Sequence, residues 1–253
     1  MILCVECGNT CIKVGVFDEN NTLLDHFLIK SESNLTSYEY AFKLRNLLKK
    51  EYSFEGSIIS SVIPHLTSVL KNAVKEIIGI EPLILNKSLK TKLPIKIDNP
   101  NELGTDFLCT ALGSLYKGYK PPFIVADLGT ATKISVIDKN GALIGCIITS
   151  GMATSLKALI NNTAQLFEVE IAAPKKIIGK NSKDSIQSGI VFGQAYMVSE
   201  FARRIEQEIG YPITRILTGG YSSRIKDQIV CFNYEENLSL YGLNRIYKMN
   251  VEE

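Results

Sequence analysis

The chain has 253 residues, 45% of them hydrophobic and 21% charged, with a net charge of +2 at pH 7. That length supports one sizeable core or two smaller ones. Charges of both signs are interspersed, which excludes the concentrated basic surface of a nucleic-acid or anionic-membrane binder and leaves a small-molecule partner as the expectation. No stretch approaches the roughly 18 uninterrupted apolar residues of a membrane span, and no basic region precedes the first apolar run, so a cytoplasmic location without a membrane partner is expected. Among the six cysteines, Cys4, Cys7 and Cys11 invite a zinc reading. A fourth soft ligand is missing nearby in sequence, and Cys4 and Cys7 fall on opposite faces of a continuous strand. The cysteines are therefore read as small buried hydrophobes in a reducing compartment.

In chain order, residues 2–20 (ILCVECGNTCIKVGVFDEN) read as a β-hairpin closed by a tight Gly turn. Residues 23–29 make a third strand and residues 31–36 a polar loop. Tyr40, Ala41, Leu44, Leu47 and Leu48 recur at helical spacing and end in Lys49 and Lys50, which suit a helix C-terminus. A short strand at 57–62 stops before Pro64. Leu66, Val69, Leu70, Ala73, Val74, Ile77 and Ile78 form one apolar stripe, with Gly79 where a C-terminal cap belongs. Residues 83–85 are a further strand, giving the order β-β-β-α-β-α-β. A polar connection at 91–100 leads into a helix carrying Leu103, Phe107, Leu108, Ala111, Leu112 and Leu115, with Gly104, Thr105 and Asp106 in its first turn. After a break at 117–122, residues 124–140 (IVADLGTATKISVIDKN) form a second hairpin. Then come a strand at 143–149, helices at 153–160 and 185–209, a strand at 215–218 entering Gly219-Gly220, and a helix at 238–247. The second part repeats the order of the first, so two domains are expected, 1–115 and 116–253.

The two hairpins align from end to end with a single one-residue gap. Each runs through β-branched residues to a carboxylate (Glu6, Asp127), then one residue, a Gly (Gly8, Gly129), small polar side chains, and a second apolar run closing at Asp-x-Asn. A Gly turn lets backbone N–H groups and hydroxyls approach a phosphate closely. Two such turns facing each other would clamp a nucleotide and its metal. Two unrelated hairpins remain the alternative reading. On the residues alone Lys13 reads either as a phosphate contact or as a solvated strand residue, Asp127 as part of the clamp or a turn cap, and Asp106 as an ordinary helix-start aspartate.

Seven segments carry a resemblance: ECGNTCIK at 6–13, SSVIPHLT at 60–67, DNPNELGTD at 98–106, DLGTAT at 127–132, GKNSKDSIQSGIVFG at 179–193, TGG at 218–220 and ENLSLYGL at 236–243. Together they resemble the type III pantothenate kinases, within the acetate and sugar kinase, Hsp70 and actin superfamily. The resemblance implies an α/β fold of two duplicated ribonuclease H-like (actin-like ATPase) domains, each a mixed five-stranded sheet with helices, and a cleft between them. It implies ATP-dependent phosphorylation of pantothenate on the path to coenzyme A, with Mg2+ accompanying ATP, a monovalent cation (K+ or NH4+) held by Asp127, and a homodimer. By the same resemblance Glu6, Gly8, Asn9, Thr10 and Lys13 form the first phosphate-binding loop, and Gly129, Thr130 and Thr132 the second. Gly104, Thr105, Asp106, Phe107 and Ser182 face the substrate, and Asp106 is the general base.

Several positions depart from that pattern. Glu6 replaces an aspartate and is longer by one methylene. Phe107 stands where the family has an arginine that contacts the carboxylate of pantothenate, so a bidentate clamp is lost. Ile97 occupies a position often held by tyrosine, and Lys133 replaces a threonine. Ser182 keeps the hydroxyl of a threonine. Two further readings follow: a kinase for another small alcohol that lacks a carboxylate, or a non-catalytic nucleotide-binding accessory or regulatory protein.

Overall fold

The computed structural model describes residues 1–86 and 88–251. Its chain forms two compact units. The first comprises Met1–Leu93, Asp98–Gly118 and Leu238–Glu253, and the second Pro94–Ile97 and Tyr119–Asn237.

The first unit is built on a five-stranded sheet in the order β3-β2-β1-β4-β5. Its strands are β1 (Ile2–Cys7), β2 (Cys11–Phe17), β3 (Leu23–Lys30), β4 (Gly56–Ser61) and β5 (Leu83–Ile84). β1 pairs antiparallel with β2 and parallel with β4. As the central strand, covered on both faces, β1 is a near-continuous apolar run interrupted by Glu6. α1 (Ser37–Leu47) and α2 (Pro64–Ile78) bury Tyr40, Ala41, Leu44, Leu66, Leu70 and Val74 in one core with Leu3, Val5, Val14 and Val16. α1 starts in a capping box unremarked in the sequence: Glu39 N donates to Thr36 Oγ1 at 3.3 Å and Thr36 N to Glu39 Oε2 at 2.7 Å. Gly79 ends α2 with φ of 72°, as its position suggests.

The other side of this unit carries α3 (Thr105–Tyr116) and α7 (Leu238–Val251). These helices cross at glycines. A Cβ on Gly242 would lie 1.8 Å from the Cys109 carbonyl oxygen, and one on Gly113 would lie 2.0 Å from that of Leu238. Only glycine permits this approach. The Tyr241 ring stacks on Tyr116 at 5.9 Å and meets the edge of Phe17 at 5.3 Å. A single cut between residues 115 and 116 therefore differs from the arrangement seen, because α7 returns to pack on α3 in the first unit.

The second unit repeats the topology in the order β8-β7-β6-β9-β10. Its elements are β6 (Phe123–Leu128), β7 (Ala131–Ile137), β8 (Leu143–Ser150), α4 (Met152–Asn161), α5 (Ser182–Ile209), β9 (Thr214–Thr218), α6 (Ser222–Ile225) and β10 (Asn233–Tyr234). α6 and β10, four and two residues long, have no periodicity to read. The hairpins are duplicates in burial as well as sequence: β1 and β6 share one pattern of buried and half-buried positions, and β2 and β7 share another. Each second strand is bulged at the same place, between Val16 and Phe17 and between Val136 and Ile137. Each then turns on an aspartate whose Oδ1 accepts a backbone N–H, from Thr22 at 2.7 Å to Asp18 and from Ala142 at 2.9 Å to Asp138. α5 packs Val191, Ala195, Val198, Ala202 and Ile205 onto this sheet. Among the described residues no helix is long and apolar enough to cross a membrane.

Candidate active site

In the first hairpin the turn between β1 and β2 is closed by Gly8 N donating to Cys11 O at 3.0 Å, which leaves Asn9 and Thr10 exposed at the tip. The loop is pinned from the residue after β3: Ser31 N donates to Thr10 O at 3.0 Å and Ser31 Oγ to Gly8 O at 2.7 Å. Just inside the turn, Glu6 and Lys13 are cross-strand partners. Lys13 Nζ lies 3.2 Å from Glu6 Oε2, with side chains 22% and 12% exposed. Ser239 on α7 completes the group: its hydroxyl donates to Glu6 Oε2 at 2.5 Å and accepts from Lys13 Nζ at 3.3 Å. A pair this shielded attracts more strongly than a surface pair but is also desolvated, and the hydroxyl offsets that cost by satisfying both groups. The added methylene of Glu6 is thus absorbed by a network that anchors the carboxylate to strand, lysine and helix.

Asp106 stands in the first turn of α3, half-buried, its Oδ1 accepting from Phe107 N at 2.9 Å. The helix dipole favours a negative charge there. The turn is tied to the sheet by a 2.9 Å hydrogen bond between the Thr105 and Ser60 hydroxyls, and Ser60 pairs with Glu6 in the β1–β4 register. Burial pushes the Cys109 thiol well above its usual pKa, and the charges of Glu6 and Asp106 push it further, so both carboxylates act on one buried thiol. Glu6, Thr105 and Asp106 therefore form one neighbourhood at the ends of β1 and β4 and the start of α3.

The second hairpin turns on Gly129, whose N donates to Ala131 O at 3.1 Å. Thr130 is exposed at the tip, and its carbonyl accepts from Gly151 N at 3.0 Å and Thr154 Oγ1 at 2.7 Å. Thr132 is 1% exposed, and its hydroxyl accepts from Gln194 Nε2 at 2.6 Å. Strand alternation turns it inward, away from the tip where the phosphate-loop expectation would have it. Asp127 and Lys133 pair across the strands. Lys133 Nζ is 3.0 Å from Asp127 Oδ2, with side chains 18% and 14% exposed. Gly219, at φ of 100°, folds the turn after β9 against this carboxylate; a Cβ there would lie 2.5 Å from Asp127 Oδ1.

Other expected residues are placed as follows. Phe107 is buried at 6% exposure, so an arginine at 107 in this backbone would put its charge in the interior. Ser182 is exposed at the start of α5, after the Asn181 cap that accepts from Asp184 N at 2.9 Å. Ser239 is the residue sequence reading missed; it lies in the segment ENLSLYGL, which signals a helix but not that its fourth residue reaches 233 positions back to Glu6. Of the cysteines, Cys4, Cys7 and Cys109 are buried as expected, whereas Cys146 and Cys231 are exposed. Cys146 lies on β8, where alternate side chains face outward.

The family model for type III pantothenate kinase matches residues 2–204. A type III pantothenate kinase of Myxococcus xanthus (strain DK1622) is 33% identical over 255 residues, covering 99% of both chains. Among solved structures, one from Campylobacter jejuni, provisionally assigned to the Baf family of transcriptional activators, superposes with a TM-score of 0.61 at 18% identity over 99% of this chain and 100% of that one. An inorganic polyphosphate/ATP-glucomannokinase from Arthrobacter sp. strain KM superposes with a TM-score of 0.51 at 13% identity over 100% of this chain and 99% of its own. Those two likenesses speak for the fold, that of sugar kinases and actin-like ATPases. On the family model and the near-full-length relative, the chain belongs to the type III pantothenate kinase family.

Proposed function

We propose that this chain transfers the γ-phosphoryl group of ATP to the primary hydroxyl of pantothenate, releasing ADP and 4'-phosphopantothenate. Family membership supports the reaction, and the placement of Asp106 in the first turn of α3, next to Thr105, whose hydroxyl is bonded to Ser60 opposite Glu6, is the observation that carries the mechanism. The acceptor oxygen forms a bond to the γ-phosphorus as the bond to the β-phosphate oxygen breaks and its electron pair leaves with ADP. Asp106 takes the proton of the alcohol. In the first unit the exposed Asn9 and Thr10 offer donors to phosphate oxygens and Lys13 supplies positive charge held in place by Glu6 and Ser239; in the second the exposed Thr130 turn offers donors of the same kind. Magnesium accompanying the nucleotide would supply further positive charge at the phosphates, and Asp106 is a hard oxygen donor of the kind it takes. The monovalent cation expected at Asp127 does not fit the residues present, because that carboxylate already holds the Lys133 ammonium at 3.0 Å.

One observation favours a second acceptor: the Phe107 side chain is buried and brings no charge to a substrate carboxylate. ADP release with pantothenate and with its uncharged alcohol analogue separates the two readings, since a tenfold preference for the analogue would support the second. Asp106→Asn is expected to lower kcat about a hundredfold or more while leaving nucleotide affinity within about threefold. Wild-type turnover in Asp106→Asn would remove Asp106 as the base. A homodimer belongs to the same proposal. On α5 the residues facing the sheet are buried, while Tyr196, stacked on Phe192 at 6.1 Å, is 52% exposed, which supports pairing through that helix.

A further inference from the structure

The monovalent cation implied by the family has a competitor written into this sequence. Lys133 sits opposite Asp127 in the β6–β7 register, and its Nζ is 3.0 Å from Oδ2. The other carboxylate oxygen is crowded by the Gly219 turn, where even a Cβ would come within 2.5 Å of Oδ1. Both side chains are largely shielded, at 18% and 14% exposure, so little solvent screens the pair. The same register in the first hairpin holds Lys13 against Glu6 at 3.2 Å. The fold thus places a lysine ammonium on this carboxylate in each half, and in the second half it lies where the resemblance calls for a bound ion.

We propose that the Lys133 ammonium takes the place of the monovalent cation at Asp127, so that nucleotide binding and turnover by this chain need neither K+ nor NH4+. A lysine ammonium and a potassium ion each bring one positive charge to a carboxylate. The tethered group arrives at an effective concentration that a free ion at ordinary salt does not match. It also carries its charge without an ion-binding step, which removes the dependence on ionic composition. The turnover half of this inference rests on the reaction proposed above; the binding half does not.

The test measures ATP affinity by calorimetry, thermal midpoint with and without nucleotide, and ADP release, each in potassium chloride and in tetramethylammonium chloride at equal ionic strength. Wild-type values are expected to agree within twofold between the salts. Lys133→Thr is expected to bind ATP at least tenfold more weakly in tetramethylammonium and to recover in potassium or ammonium chloride, while Lys133→Arg, which keeps the charge, stays insensitive to salt. Wild-type affinity tenfold tighter in potassium would overturn the proposal, as would a Lys133→Thr protein that binds equally well in both salts. Should Lys133→Thr fail to fold in either salt, the wild-type comparison decides alone. Salt-independent nucleotide binding with no pantothenate-dependent ADP release in either salt would remove the acceptor assigned above and leave the role of Lys133 supported.

Discussion

Ser239→Ala probes the network that holds Lys13. The hydroxyl is 2% exposed and donates to Glu6 Oε2 at 2.5 Å, a charge-assisted bond to a carboxylate that is itself only 12% exposed. Such a bond contributes about 1.5 to 3 kcal/mol, and removing the donor leaves part of the carboxylate unsatisfied. In a chain of this size each kcal/mol shifts the melting midpoint by about 2 to 4 °C, so a fall of roughly 3 to 12 °C is expected. The alanine also removes the acceptor that fixes Lys13 Nζ at 3.3 Å. The KM for ATP should therefore rise severalfold with a smaller change in kcat. A double-mutant cycle with Glu6→Gln isolates the pair and should give a coupling of about 1 to 3 kcal/mol. Additive losses in that cycle, or a Ser239→Ala midpoint unchanged from wild type, would refute the claim that α7 anchors the site through this hydroxyl.

Two further outcomes are expected. Partial burial alone would raise the pKa of Glu206, but Arg215 Nη2 at 2.6 Å and Ile213 N at 3.2 Å donate to it and hold it below its usual value. A depressed carboxylate stabilises the fold above its unfolded pKa, near 4.5, and that contribution is lost as pH falls through the folded value. Urea denaturation should thus show Glu206→Gln less stable than wild type at pH 7, with the gap closing below pH 4.5; a gap that stays constant with pH would contradict this. Tyr196→Asp should convert a dimer to a monomer in sedimentation if α5 forms the interface, and a wild-type protein that sediments as a monomer would dismiss the pairing.

The fold was legible because both hairpins advertise themselves twice, as β-branched apolar runs meeting at a Gly turn and as copies of one another. The long stripe of α2 and its Gly79 cap were equally plain. Elements that lack periodicity were not: α6 and β10 exist because neighbouring strands and helices hold them. Local placement was legible where one residue type at one turn suffices, as with the turn glycines Gly8 and Gly129 and the helix-start Asp106. The candidate site was illegible where a contact spans the chain. Nothing near residue 6 announces Ser239, and strand alternation, invisible in a list of motif residues, decides that Thr132 turns inward while Thr130 stays at the tip. Placing α7 required knowing that glycines 113 and 242 meet across the α3 crossing.

Two departures from the family pattern, Glu6 and Lys133, look unrelated in the sequence and become one feature in the fold. Each contributes half of a carboxylate–lysine pair at the same cross-strand register. In the first hairpin the lysine fits the pattern and the carboxylate is lengthened; the extra methylene lets Glu6 meet both Lys13 and the Ser239 hydroxyl brought by α7. In the second the carboxylate keeps its length and the lysine is new, and Asp127 has the Gly219 turn rather than a hydroxyl against its other oxygen. An ammonium held by a neighbouring acid is pre-positioned, so less side-chain entropy is lost when an anion arrives. The pairs are thus alike in origin and different in proposed use: Lys13, held by a serine that a helix delivers, for phosphate, and Lys133, held on a carboxylate whose other oxygen meets a glycine turn, as a built-in cation.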